Sequence, residues 1–156
     1  MVTDTTQLQS ERLQDSRNLA VLTWVRLMRV YHKVDRRTAE EMKHWKLSVS
    51  RFDVLNHAGV REGRTQQELA DALLVTKGNI CQLLDGMEAD GLLRRRRSGR
   101  TNHIYLTDEG RALREASLAR HEERIAQEMS VLSSDEQQTL LTLLRKLDRS
   151  LSNDPA

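Results

Sequence analysis

Apolar residues recur at spacings of three and four along most of the chain, and one stretch interrupts them with the alternation of a strand. Leu19, Leu22, Val25, Met28 and Tyr31 or His32 follow the first spacing, which predicts a long amphipathic helix from Leu19 to about Trp45. Residues 1–15 are polar and lack a clear period, so they read either as a frayed arm or as the first turns of that helix. Ser48 is placed to cap a second helix, whose apolar positions Phe52, Val54, Leu55 and Ala58 run into Gly59 and Gly63. Thr65-Gln66-Gln67-Glu68 has the spacing of a capping box, in which hydroxyl and carboxylate satisfy the first backbone N–H groups reciprocally, and Leu69, Ala72 and Leu73 follow as a core face. Val75-Thr76 breaks the pattern, and Thr76 is suited to cap a helix with the stripe Ile80, Leu83, Leu84 and Met87, ending at Gly91.

After Gly91 the run LLRRRRSGRTNHIYLT alternates, with Ser98-Gly99 as a two-residue turn signal. Pairing Arg97 with Arg100 across that turn sets Arg95 opposite Asn102 and Leu93 opposite Ile104, so Leu93, Ile104 and Leu106 form a buried base while Arg95, Arg97 and Arg100 extend toward the tip. Thr107-Asp108-Glu109 starts a further helix, with two carboxylates where the helix dipole favours them. Leu118, Ile125, Met129 and Leu132 make a seam along it. Ser133-Ser134-Asp135-Glu136 opens a last helix whose stripe Leu140, Leu144, Leu147 and Leu151 is widened by Leu141 and Leu143. So apolar a stripe at the end of a small domain needs covering, and a second copy of the chain is the expected cover, packing within one chain being the alternative.

The length of 156 residues fits one domain with appended assembly elements, and 38% hydrophobic with 31% charged residues gives a core under a charged surface. The first twenty residues hold no apolar signal segment, and no window approaches the roughly 18 apolar residues of a spanning helix, so neither export nor a membrane partner is expected. A single cysteine, Cys81, forms no intrachain disulfide or thiolate cluster, which points to a reducing compartment. The lone proline, Pro155, leaves the interior free for long helices. The expected fold is mainly α with a small β-hairpin wing.

A net charge of +2 is uninformative by itself, but Arg94, Arg95, Arg96, Arg97 and Arg100 concentrate positive charge in the hairpin. With only 3% aromatic residues the chain lacks stacking platforms for single strands, so duplex DNA is the expected nucleic acid. Helix, turn, helix and basic hairpin in succession make a winged helix-turn-helix over residues 47–110, flanked by a first dimerisation helix with its arm (1–46) and C-terminal dimerisation helices (111–156). On the second helix of the motif Lys77, Gly78, Cys81, Gln82 and Asp85 lie away from the apolar stripe, with Thr76 and Asn79 at its amino end. Gln82 and Asn79 suit paired hydrogen bonds to adenine, Lys77 suits guanine or phosphate, and Thr76 sits where helix N-termini receive phosphates. Arg95, Arg96, Arg97 and Arg100 are the expected wing contacts, with Arg100 the candidate for the narrow minor groove. The competing reading is a helical protein-interaction module whose basic hairpin docks on an acidic protein.

The segments beginning at Leu47 (LSVSRFDVL), TQQELADALLVTKGNICQLLDGMEADGLLRRRR and YLTDEGRAL together resemble the MarR family of bacterial transcriptional regulators, in element order over residues 20–150 and most closely over 47–113. The resemblance implies a cytoplasmic bacterial regulator, expected to be a repressor. It implies an obligate homodimer built from the terminal helices, here through Leu19, Leu22, Leu140, Leu144, Leu147 and Leu151, on a palindromic operator. A small effector, aromatic or carboxylate, is implied between dimer and DNA lobes, with Trp24, Met28 and Asn56 as candidate pocket residues. Cys81 and Gln82 stand where the family often has Ser or Thr followed by Arg, which implies a different base preference. Arg100 matches the wing-tip arginine, Ser98 replaces a bracing aspartate, and Gly86 replaces a common charge.

A redox role for Cys81 is the sharper alternative to a packing or groove role, since Lys77 and a helix start lower a thiol pKa. The histidines His32, His44, His57, His103 and His121 are scattered, and His121-Glu122-Glu123 lacks the second histidine of a zincin motif, so no metal is expected. With no catalytic triad, phosphate loop or dinucleotide fingerprint, neither enzymatic activity nor a cofactor is expected.

Overall fold

The computed structural model describes residues 3–152, with side chains from Arg17 onward; Pro155 lies outside the described residues. The chain divides into two compact units at Val54/Leu55. The first unit is dominated by helix α1 (Thr3–Met42), which continues as a 3-10 turn (Lys43–Trp45). The polar leader is therefore part of the first helix rather than a separate arm. Lys46 closes the turn at φ 54°, with Leu47 N–H donating to the Met42 carbonyl at 3.1 Å, a reversal that satisfies the last helical carbonyls. Helix α2 (Val49–Val60) follows, and the Ser48 hydroxyl accepts from the Arg51 N–H at 3.3 Å, as its capping position predicts. Met42, Leu47, Phe52 and Val54 are buried here. Leu19, Val21, Leu22, Trp24, Val25, Val30 and Tyr31 instead stand exposed on more than one side of α1.

The second unit contains the rest of α2, strand β1 (Arg64–Thr65), helices α3 (Gln66–Ala72) and α4 (Lys77–Ala89), strands β2 (Leu93–Ser98) and β3 (Thr101–Leu106), and helices α5 (Asp108–Met129) and α6 (Ser134–Ser152). Each predicted cap is present. Thr65 accepts from Glu68 N–H and Glu68 accepts from Thr65 N–H, completing the capping box. Thr76 accepts from Asn79, Thr107 from Gly110, and Ser133 from Glu136. Gly91, at φ 73°, ends α4 with Leu92 N–H on the Met87 carbonyl. Leu55, Ala58, Leu69, Ala70, Ile80, Leu84, Met87, Leu93, Ile104 and Leu106 form the core of this unit, each large side chain contributing roughly 1.5–3 kcal/mol by leaving water.

The sheet has the order β1-β3-β2, all antiparallel. Its two-residue strand β1 is absent from the sequence reading, because pairing of Arg64 with Ile104 and Thr65 with His103 depends on contacts forty residues away. The hairpin register also differs from expectation. Ser98 pairs with Thr101, Arg97 with Asn102, Arg95 with Ile104 and Leu93 with Leu106, so the turn residues are Gly99 and Arg100 rather than Ser98 and Gly99. Gly99 takes the first turn position at φ 58°, a value that glycine adopts without strain. Helix α6 has no buried residue, and Leu140, Leu141, Leu143, Leu144, Leu147 and Leu151 are all exposed.

Candidate nucleic-acid interface

Helix α4 separates its residues sharply. Ile80, Leu84 and Met87 are fully buried, which fixes the rotation of the helix on the core, and Thr76, Lys77, Gly78, Asn79, Gln82 and Asp85 are left exposed. A Cβ at Gly78 would meet nothing within 4 Å, so the first turn presents an unobstructed surface. Six residues called from sequence for DNA contact therefore lie on this one element, but one of them is engaged elsewhere. Cys81 is half-buried, and its Sγ accepts a hydrogen bond from Gln66 Nε2 of α3 at 2.9 Å.

The hairpin beside α4 carries Arg94, Arg96, Arg97 and Arg100 exposed. Arg96 lies over the Tyr105 ring, 5.3 Å from its centroid, and Arg97 Nε donates to the Gly99 carbonyl at 3.1 Å, so both are partly ordered before any ligand arrives. Arg95 corrects the expectation that it extends toward the tip. Its alternation places it with buried Leu93, and its side chain, only 17% exposed, folds back to pair with Asp85 at 2.7 Å and Glu88 at 2.8 Å. Burial opposes its charge, but the two carboxylates outweigh burial and hold its pKa above the usual arginine value. The signal available in the sequence was Asp85 and Glu88 on one ridge of α4, combined with the shared face of Leu93 and Arg95.

A model of the MarR family matches residues 45–101, the stretch from the last residue of the 3-10 turn to the first of β3. An uncharacterised HTH-type transcriptional regulator of Bacillus cereus is 33% identical over 132 residues, covering 82% of this chain and 88% of its own. The chain belongs to the MarR family. Among solved structures, the oxidised form of Escherichia coli MarR is 28% identical and superposes with a TM-score of 0.69, covering 78% of this chain and 90% of that one. The DNA complex of Staphylococcus aureus MepR superposes with a TM-score of 0.74 at 24% identity, covering 80% and 94%, and shares the fold. This MarR-family protein is thus a winged helix-turn-helix transcriptional regulator, not an enzyme. No helix among its described residues is long and apolar enough to cross a membrane.

Of the residues expected to hold an effector in this MarR-family chain, Trp24 and Met28 belong to the first unit and Asn56 to the second. Trp24 and Met28 line an open groove along α1 with Val25, Arg29, His32, Lys33 and Arg36. Asn56 lies half-buried on α2, with an Oδ1 that has no hydrogen-bond partner. The cationic residues of the groove, Arg29, Lys33 and Arg36, carry no role in the sequence analysis, although they recur at spacings of four and three.

Proposed function

We propose that the protein is a homodimeric repressor that places α4 of each copy in the major groove of a palindromic operator and the wing on the flanking DNA. The observation that carries this reading is the division of α4. One side is locked into the core through Ile80, Leu84 and Met87, and the other offers Lys77, Asn79 and Gln82 beside four exposed wing arginines. Gln82 and Asn79 have the donor and acceptor pair that adenine presents in the major groove, whereas Arg96, Arg97 and Arg100 supply phosphate neutralisation and Arg100, at the turn, reaches the minor groove. The MepR–DNA complex supports the assignment of DNA as ligand. Two-fold symmetry in the protein requires two half-sites about one helical turn apart, roughly 34–36 Å. The uncovered apolar residues of α1 and α6, Leu19 and Leu22 on one and Leu140, Leu144, Leu147 and Leu151 on the other, support the second copy.

The groove on α1 supports an effector with an aromatic body and a carboxylate, Trp24 and Met28 taking the first and Arg29 or Lys33 the second. Such a molecule releases the operator only by binding the DNA-incompetent arrangement more tightly. Sequencing bacterial genomic fragments retained by the purified protein tests the proposal. Enriched fragments sharing one inverted repeat are expected, and retention without a shared sequence would contradict operator recognition.

A further inference from the structure

Cys81, Asp85 and Glu88 follow one another along a single ridge of α4, and Arg95 of β2 spans all three. Its guanidinium contacts Asp85 Oδ1 at 2.7 Å and Glu88 Oε2 at 2.8 Å, and Nη2 donates to the Cys81 carbonyl at 3.3 Å. Glu88 Oε1 in turn accepts the Arg95 backbone N–H at 2.8 Å, so side chain and strand are both tied to the helix. A single exposed ion pair fixes little, but here Nη1 meets both carboxylates and Nη2 the Cys81 carbonyl, three acceptors over two helical turns, and the buried Nε alone is left without a partner, so the guanidinium is restricted in both position and angle. Lysine, with a single nitrogen, can meet the carboxylates but has no second donor nitrogen for the Cys81 carbonyl.

We propose that Arg95 is a positioning residue that straps the wing to the recognition helix, so that Gln82 and the exposed arginines Arg96, Arg97 and Arg100 engage one duplex together. The inference rests on the DNA-binding reading above and assigns Arg95 a role other than phosphate contact. To reach a phosphate it would have to leave both carboxylates, which would then face the DNA unneutralised. Held in place, it neutralises Asp85 beside the reading surface and sets the wing before DNA arrives, which lowers the ordering cost of binding.

The paired variant Asp85→Asn with Glu88→Gln separates the two roles by sign. It removes two negative charges next to the interface, so a freed Arg95 acting on phosphate would make binding equal to or tighter than wild type. The strap predicts weaker cognate binding, by about tenfold, despite the added positive charge. It also predicts that Arg97→Ala costs less in this background than in wild type, because an unstrapped wing contributes less. Arg95→Lys keeps the charge and loses the fork, and it is expected to bind weakly in the same way while retaining the wild-type melting profile; this variant carries the test if the paired variant fails to fold. Wild-type affinity in Arg95→Lys, or equal or tighter binding by the paired variant, overturns the strap alone. A wild-type protein that binds no duplex at low salt overturns the DNA-binding reading and the strap with it.

Discussion

Gly110, in the first turn of α5, lies so close to the Leu92 carbonyl that a Cβ at this position would fall inside that group. The approach is held by Thr107, whose hydroxyl donates to the Gly91 carbonyl at 2.6 Å and accepts from Gly110 N–H at 3.0 Å, while its own N–H donates to the Leu92 carbonyl at 3.2 Å. Neither backbone can retreat without breaking this clasp between the end of α4 and the start of α5. Gly110→Ala is therefore expected to cost about 3 kcal/mol in urea unfolding. Gly59→Ala meets no backbone but only the Arg114 side chain, at its Cδ and guanidinium, and roughly 1 kcal/mol is expected. Equal costs would show that the Gly110 contact is compliant.

Two carboxylates link stability to pH. Backbone hydrogen bonds from Thr65 to Glu68 and from Ser133 to Glu136, each joined by the hydroxyl of the same residue, hold both carboxyl groups below the usual glutamate range. A depressed folded-state pKa adds stability that is complete above the unfolded value of about 4.3 and disappears as pH falls through the folded values. Wild type should therefore exceed a Glu68→Gln, Glu136→Gln double variant at pH 7, and the gap should narrow progressively as the pH falls below about 4. Denaturant titrations at both pH values check this; a constant gap contradicts it.

Leu74 occupies the left-handed position after α3 at φ 53°, with its own N–H on the Asp71 carbonyl and Val75 N–H on the Ala70 carbonyl. That is the position where glycine is favoured, and the leucine side chain is 94% exposed, so no burial offsets the strain. Leu74→Gly should raise stability by about 0.5–1 kcal/mol, net of the entropy glycine adds to the unfolded chain, visible as a higher Tm. A lower Tm would mean that the strain at Leu74 is smaller than the entropy glycine adds to the unfolded chain.

The local features of this fold were legible because each is specified within four residues. Thr65, Thr76, Thr107 and Ser133 all cap the helices their spacing predicts. The misread features are non-local. A glycine beside a serine fits the hairpin at either of two turn positions, and only the pairing of Leu93 with Leu106 decides between them. Alternation puts Arg95 on the face of Leu93, but its fold-back depends on Asp85 and Glu88 of α4, ten and seven residues earlier in the chain, which hairpin alternation does not report. β1 is too short to carry a period of its own.

Leu144, exposed on α6, tests the assembly. If a second copy covers the stripe, Leu144→Asp buries an unpaired carboxylate at the interface and weakens association by on the order of 3 kcal/mol. Sedimentation should show a wild-type dimer and a variant shifted toward monomer at the same micromolar concentration. A wild-type monomer would remove the dimer from the account.

If α4 reads the bases while the wing holds the duplex in place, a salt series on a cognate and a scrambled duplex separates the two most directly. Gln82→Ala is expected to lose roughly 1–3 kcal/mol of discrimination per contact with little change in salt slope. Arg97→Ala is expected to weaken binding to both duplexes alike and lower the slope by about one unit, leaving discrimination intact. If Gln82→Ala keeps full discrimination and Arg97→Ala abolishes it, the hairpin rather than α4 is the reading element.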